Sequence, residues 1–218
     1  MAITNREGIK ATGMPLSTDV ISNLRRDILQ GKLRKEEKLT EQQICDEYKV
    51  SRTPVREAFK QLELEGLIKT IPNRGAFVVG VSSQNLEDMY ELRKSYEILA
   101  VKWAIERITK DELEELEEAF EFMDFYTQKK DAEKMLNINM HFHELIYNAS
   151  HNELLKHILS SSQIYIKQSK KNHLYLDNYM DVVLSEHREI YEAFINRDFN
   201  AGIAAVTKHL DNAKLRAQ

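Results

Sequence analysis

Proline and glycine divide this 218-residue chain in two. All three prolines (Pro15, Pro54, Pro72) precede residue 73, and after Gly80 the only glycine is Gly202. A β-rich region needs tight turns at short intervals, and those turns favour Gly and Pro. Residues 83–218 are therefore expected to be all-helical, with a boundary near Gly80–Ser83.

Apolar spacing resolves that region into about six helices, near Ser83–Arg107, Lys110–Lys129, Ala132–Ala149, Glu153–Leu174, Tyr179–Asn196 and Ala201–Ala217. Thr109 and Glu112 form a capping box for the second. Short polar joints such as Asn148-Ala149-Ser150 and Asn196-Arg197-Asp198 favour antiparallel neighbours in a bundle.

The front region follows a different pattern. A first helix is expected over Thr18–Gln30, with Ile21, Leu24 and Ile28 as its apolar stripe and Gly31 ending it. The segment KLRKEEK reads as a polar turn. Thr40 with Gln43 makes a capping box for a helix running to about Tyr48, with Ile44 buried, and Lys49-Val50 form the next turn. A third helix starts at Ser51 or Thr53, with Pro54 in its first turn, where proline costs little. Val55, Ala58, Phe59 and Leu62 face the core, while Arg52, Arg56 and Lys60 face away. Gly66 stops the helix. Leu67–Ile71 and Ala76–Val79 alternate as strands around the turn Pro72-Asn73-Arg74-Gly75. The fold class is thus mainly α: a winged helix-turn-helix of three helices and a two-stranded wing over 17–80, preceded by a flexible arm at 1–16, and an antiparallel bundle over 83–218.

Charge agrees with this division. The net charge is −4, but residues 1–80 carry 14 Lys+Arg against 11 Asp+Glu, and the remainder carries 17 against 24. Only the basic front is suited to meet phosphate. No apolar run approaches the ~20 residues that span a bilayer. The N-terminal stretch lacks the apolar centre of a signal peptide, and the single Cys45 fits a reducing compartment, so a cytoplasmic protein with no membrane partner is expected.

The string SRTPVREAFKQLELEGLI followed by PNRGAFV, with Leu39-Thr40-Glu41 ahead of it, resembles the winged-helix domain of the GntR family of bacterial transcription regulators. The back region resembles the FCD ligand-sensing domain of the FadR-type subfamily. That resemblance is carried by Glu91-Leu92-Arg93 with Glu97, Asn139-x-x-Phe142-His143, Glu186-His187 with Ile190, and His209. Six helices rather than seven suggest the VanR-like branch.

The resemblance implies that Arg52 and Arg56 touch DNA from the recognition helix. Arginine pairs bidentately with guanine O6 and N7. Ser51, Thr53 and Pro54 stand at that helix's N-terminus, which is suited to phosphate. Thr40, Glu41 and Lys60 flank it. Asn73, Arg74 and Gly75 form the wing tip that approaches the minor groove. The alternative for Arg52, Arg56 and Lys60 is a solvated face paired with Glu57 and Glu63.

By the same resemblance, His143, His187 and His209 match metal-ligand positions. Asn139 stands where the family usually places an aspartate. Three imidazoles and an oxygen suit Zn²⁺, with Ni²⁺ or Mn²⁺ as alternatives. An amide oxygen in place of a carboxylate removes one negative charge and weakens attraction to a dication. Arg93 either meets a carboxylate effector or pairs with Glu97 at i+4. Tyr165 and Tyr191 are candidates to line the effector pocket, as is Tyr96, whereas Trp103 and Phe142 read as core.

The implied function is a ligand-responsive transcription regulator, a repressor by family habit. It would bind a palindromic operator in double-stranded DNA as a homodimer, under control of a small organic acid. A metal-dependent hydrolase using the three histidines is the rival, although no HExxH motif and no nucleophile flanked by a base support it. An interaction module with an empty pocket is a third possibility.

Overall fold

A computed structural model describes residues 16–72, 74–80, 83–169 and 178–216, with side chains described for all of these except 16–18, 83, 86 and 164–169. Two compact units result, divided between Ser83 and Gln84.

The first unit is built on α1 (Leu16–Leu29), α2 (Glu41–Tyr48) and α3 (Arg52–Leu64) with strands β1 (Lys38–Leu39), β2 (Ile68–Ile71) and β3 (Gly75–Val78). Each α2 boundary has a local cause. Thr40 accepts from the Gln43 amide while the Gln43 side chain accepts from the Thr40 amide, and Lys49 closes the helix in a left-handed conformation. On α3, Val55, Ala58, Phe59 and Leu62 are buried as their spacing requires. On α1 the stripe is Val20, Leu24 and Ile28. Ile21, expected in that stripe, is only half-buried. Val20 lies four residues before Leu24 and so falls directly above it on the helix. Arg25 clamps α1 to the end of α3, donating from Nε and Nη2 to the two Glu65 carboxylate oxygens at 2.7 and 2.6 Å.

The wing has three strands, not two, in the order β1-β3-β2. Lys38, expected in a polar turn, and Leu39 after it pair antiparallel with Phe77 and Ala76. The segment is mostly charged and only Leu39 in the strand is buried, so there was no alternation to read. The β2–β3 hairpin pairs Ile68 with Val78 and Ile71 with Gly75. Gly75 has φ +98, and a Cβ there would lie 3.2 Å from the Leu39 carbonyl oxygen. Its lack of a side chain thus also admits the third strand.

The second unit comprises α4 (Ser83–Arg107), α5 (Lys110–Gln128), α6 (Ala132–Ala149), α7 (Glu153–Ser169), α8 (Tyr179–Ile195) and α9 (Phe199–Leu215). Thr109 forms its capping box with Glu112. Asp198 caps α9 by accepting from the Ala201 amide, which places the helix start two residues before the expected Ala201. The expected end of the fourth helix at Leu174 lies outside the described residues. One core unites the bundle, including Phe142, Ile146, Tyr147, Leu159, Ile190 and Phe194. Gly202 permits close helix packing: a Cβ there would stand 2.6 Å from Ile105 Cδ1 and 3.0 Å from Val101 Cγ1. Among the described residues no helix is long and apolar enough to cross a membrane.

Candidate functional site

The outer face of α3 presents Arg52, Thr53, Arg56 and Lys60 to solvent, with Pro54 half-buried. Ser51 occupies the N-cap position without a side-chain cap bond, so its hydroxyl does not cover the first-turn amides. Arg56 donates from Nε to Glu41 Oε1 at 2.8 Å, and Arg52 donates from Nη2 to Gln42 Oε1 at 3.2 Å. Gln42 in turn donates to Asp46 at 2.8 Å. The hydrogen bond from Arg56 holds the Glu41 carboxyl below its usual range. The arginines are thus braced by α2 rather than by Glu57 and Glu63. Glu63 instead accepts from the Thr70 amide at 2.7 Å and ties α3 to the wing. The Thr40 hydroxyl donates to the Gln43 side chain at 2.7 Å and belongs to the cap. At the wing tip Arg74 is exposed, and its guanidinium carbon lies 5.9 Å from the centroid of the Phe77 ring. Asn73 lies outside the described residues.

In the bundle, α6, α8 and α9 bring His143, His187 and His209 together with one ligand nitrogen of each within 4.8 Å of the others. All three are buried. His187 Nδ1 lies 2.7 Å from the Val183 carbonyl, and His209 Nδ1 lies 2.8 Å from a Glu186 carboxylate oxygen. Both partners only accept, so both Nδ1 atoms carry the proton and each Nε2 keeps its lone pair. His143 Nε2 stands 3.2 Å from His187 Nε2, a contact satisfied by a proton on His143 or by a cation shared between the rings. Burial, with His209 and His143 beside it, pushes the His187 pKa well down. Burial pushes His209 down to about 4 against the opposing bond to Glu186.

Carboxylates and arginines surround this cluster. Burial would raise the Glu97 pKa, but Arg93 and His143 outweigh it and hold Glu97 ionised. Arg93 donates from Nε to Glu97 at 2.6 Å, and the Tyr147 hydroxyl donates to the same oxygen. Gln163 donates to the Tyr147 hydroxyl at 3.2 Å. His143 Nδ1 lies 3.3 Å from the other Glu97 oxygen, off the line of a hydrogen bond. Glu186 accepts from His209, Asn212 and both terminal nitrogens of Arg216. Burial opposes its ionisation, but the His209 and Arg216 bonds hold its pKa at about 2.

A cavity of about 40 Å³ adjoins the histidines, lined among others by Arg93, Asn139, His143, Gln163, His209 and Arg216. The Asn139 Oδ1 atom is buried and has no hydrogen-bond partner. The donor set fits a divalent ion. Three imidazole nitrogens converge, carboxylate and carbonyl partners fix the tautomers of two, and an orphaned amide oxygen lines the adjoining cavity.

The expected effector residues divide. Arg93 is paired with Glu97, the second of its two expected roles, and also lines the cavity. Glu97 is fully engaged behind it. Tyr191 lies elsewhere: it stacks on Phe120 at 5.0 Å between ring centroids and is hydrogen-bonded to Glu117. The Tyr165 side chain lies outside the described residues. Sequence reasoning missed Tyr147, Glu186 and Arg216 as site residues. Tyr147 is four residues after His143 and Arg216 seven after His209, spacings that place each on its histidine's helical face.

Residues 16–78 match the bacterial regulatory proteins of the gntR family, and residues 88–212 match the FCD domain. The chain is 28% identical over 200 residues to the uncharacterized HTH-type transcriptional regulator YdhC of Bacillus subtilis, covering 91% of this chain and 89% of that one. It is 25% identical over 196 residues to the HTH-type transcriptional repressor RspR of Escherichia coli, covering 90% and 86%. The solved structure of E. coli McbR/YncC shares the fold at a TM-score of 0.68 and 22% identity, covering 91% of this chain and 95% of that one. Both of these curated relatives are named as HTH-type regulators of transcription.

Proposed function

The chain belongs to the GntR family of bacterial regulatory proteins and carries an FCD domain behind its winged helix-turn-helix, and from that premise we propose a cytoplasmic repressor that binds a palindromic operator as a homodimer and is released or retained by a small carboxylate. The observation that carries this reading is the recognition-helix face. Arg56 is held through Nε alone by Glu41, so the ends of its guanidinium fork remain for guanine O6 and N7. The amides at the start of α3, with Ser51 and Thr53 beside them, suit a phosphate. Lys60 continues the basic face, and Asn73, Arg74 and Gly75 serve as the minor-groove tip. Thr40 and Glu41 act by placing α2 and Arg56. A two-fold dimer puts two such helices in successive major grooves. The repressor sign follows from the name of the E. coli relative RspR.

His143, His187, His209 and Asn139 would hold a divalent metal, Zn²⁺ before Ni²⁺ or Mn²⁺, and that ion would supply open positions to the effector carboxylate. Arg93 adds a charge-assisted bond. Glu186 fixes the orientation of His209, and Glu97 stands beside His143. An effector that binds one state better than another shifts the population and so changes operator affinity.

The direct test is Arg56→Ala in a gel-shift titration against a duplex from the protein's own upstream region. Specific binding falls at least about tenfold with the melting temperature unchanged. Unaltered affinity contradicts the assignment. For the metal, elemental analysis of protein never exposed to chelator finds about one ion per chain, and added Zn²⁺ raises the melting temperature of stripped protein. No bound metal together with unaltered melting removes it.

A further inference from the structure

We propose that the cavity beside the histidines selects a small acid with two negative charges, a dicarboxylate whose first carboxylate faces the metal and whose second is received by Arg216 and Arg93. The inference rests on the metal reading above and names the chemical class of the effector.

Charge balance supports it. The ionised side chains at this site cancel in pairs: Arg93 with Glu97 at 2.6 Å, and Arg216 with Glu186 through two contacts of 2.8 Å. An imidazole binds a cation through a lone pair, so His143, His187 and His209 bring no charge as ligands. Asn139 contributes an oxygen but no charge. A divalent ion therefore leaves two positive charges uncompensated in a buried setting. A monocarboxylate cancels one of them, and a dicarboxylate cancels both. An uncompensated buried charge is costly, so the site favours the dianion.

Position supports it as well. Arg93 and Arg216 line the same cavity as Asn139, His143 and His209. A guanidinium has five donors, more than the contacts to Glu97 and Glu186 use. The Tyr90 hydroxyl is a second buried polar group without a hydrogen-bond partner, on a residue 5% exposed. It lies within electrostatic reach of Arg93, Tyr179 and Arg216. Tyr90 packs with Ala213, which also lines the cavity. An acceptor arriving between the two arginines would give Tyr90 its missing partner. As it stands the cavity admits two or three waters, so side chains part on binding. Arg216, at the end of α9 and the least buried of the four charged groups, is the one placed to swing.

The experiment titrates full-length, Zn²⁺-loaded protein by calorimetry with succinate and with monomethyl succinate, which differ by one charge. Succinate binds at least about tenfold more tightly, in keeping with the cost of one unpaired buried charge. In Asn139→Asp, Zn²⁺ binds more tightly and the preference for succinate shrinks towards parity. In Arg216→Gln, Zn²⁺ is retained and the preference is lost. Equal binding of the two probes by Zn²⁺-loaded protein overturns the dianion, as does Asn139→Asp keeping the original preference. Failure to take up Zn²⁺ at all overturns the metal reading and this inference with it, and elemental analysis separates the two failures.

Discussion

Arg56 and Arg93 each donate from Nε to a glutamate, at 2.8 and 2.6 Å, yet the first side chain is 59% exposed and the second 7%. The contact is the same, and the surroundings give it opposite uses. In the winged unit water screens the pair, so it adds little to stability and serves to aim a cation outward. In the bundle both partners have left water, and neither can be removed without stranding the other. An exposed charge of this kind is available to a macromolecular surface. The buried set is available only to something small that enters the cavity. On the proposed reading, one chain therefore divides recognition of DNA from recognition of a ligand by depth of burial.

Substitutions can break this contrast. Glu97→Gln leaves the Arg93 charge buried and unpaired, and should destabilise the bundle by about 3–5 kcal/mol in urea unfolding. A loss below about 1 kcal/mol, the range of exposed pairs, would erase the distinction. Gly202→Ala sets opposing effects against each other. Overpacking against Ile105 and Val101 costs about 1–3 kcal/mol, and better helix propensity returns about 1 kcal/mol. The expected net is a loss of about 0–2 kcal/mol, and net stabilisation would show that α9 has room to retreat.

Acid should act on the bundle first. The His209 pKa is depressed from 6.5 to about 4, so the unfolded chain binds more protons in this window. The corresponding stability is fully present above pH 6.5 and is lost as pH falls towards 4. Glu186, depressed from 4.5 to about 2, adds a further loss below 4.5. A melting temperature of metal-free protein that stays flat from pH 6.5 to 4 would contradict the burial of neutral histidines. The smallest expected effect is Glu41→Ala. Its melting temperature should not move, while the ratio of specific to non-specific DNA affinity falls because Arg56 loses its brace and a repelling carboxylate disappears. An unchanged ratio would leave Glu41 as a surface charge only.

Much of this was legible before the structure. The absence of proline and near absence of glycine after Gly80 implied helices, and capping boxes at Thr40 and Thr109 fixed two helix starts within a residue. What was not legible has physical reasons. β1 is two residues long and gains its identity from pairing with β3, which leaves no period in the sequence. Val20 and Ile21 are adjacent and apolar, and only the packing decides which one enters the core. The histidines are separated by up to 66 positions, so spacing alone could not unite them, and family resemblance did. Arg216 and Glu186 escaped because a buried ion pair between two helices looks, in sequence, like two surface charges.

The central claim, a DNA-reading face under the control of a metal-dependent bundle, is tested most directly by one titration. Fluorescence anisotropy of a duplex from the protein's own upstream region is followed with Zn²⁺-loaded and metal-stripped protein in parallel. The account predicts specific binding that competitor DNA of unrelated sequence does not displace, and an affinity that differs between the two forms. Indifference to the duplex at low ionic strength, or identical affinities with and without metal, would contradict it.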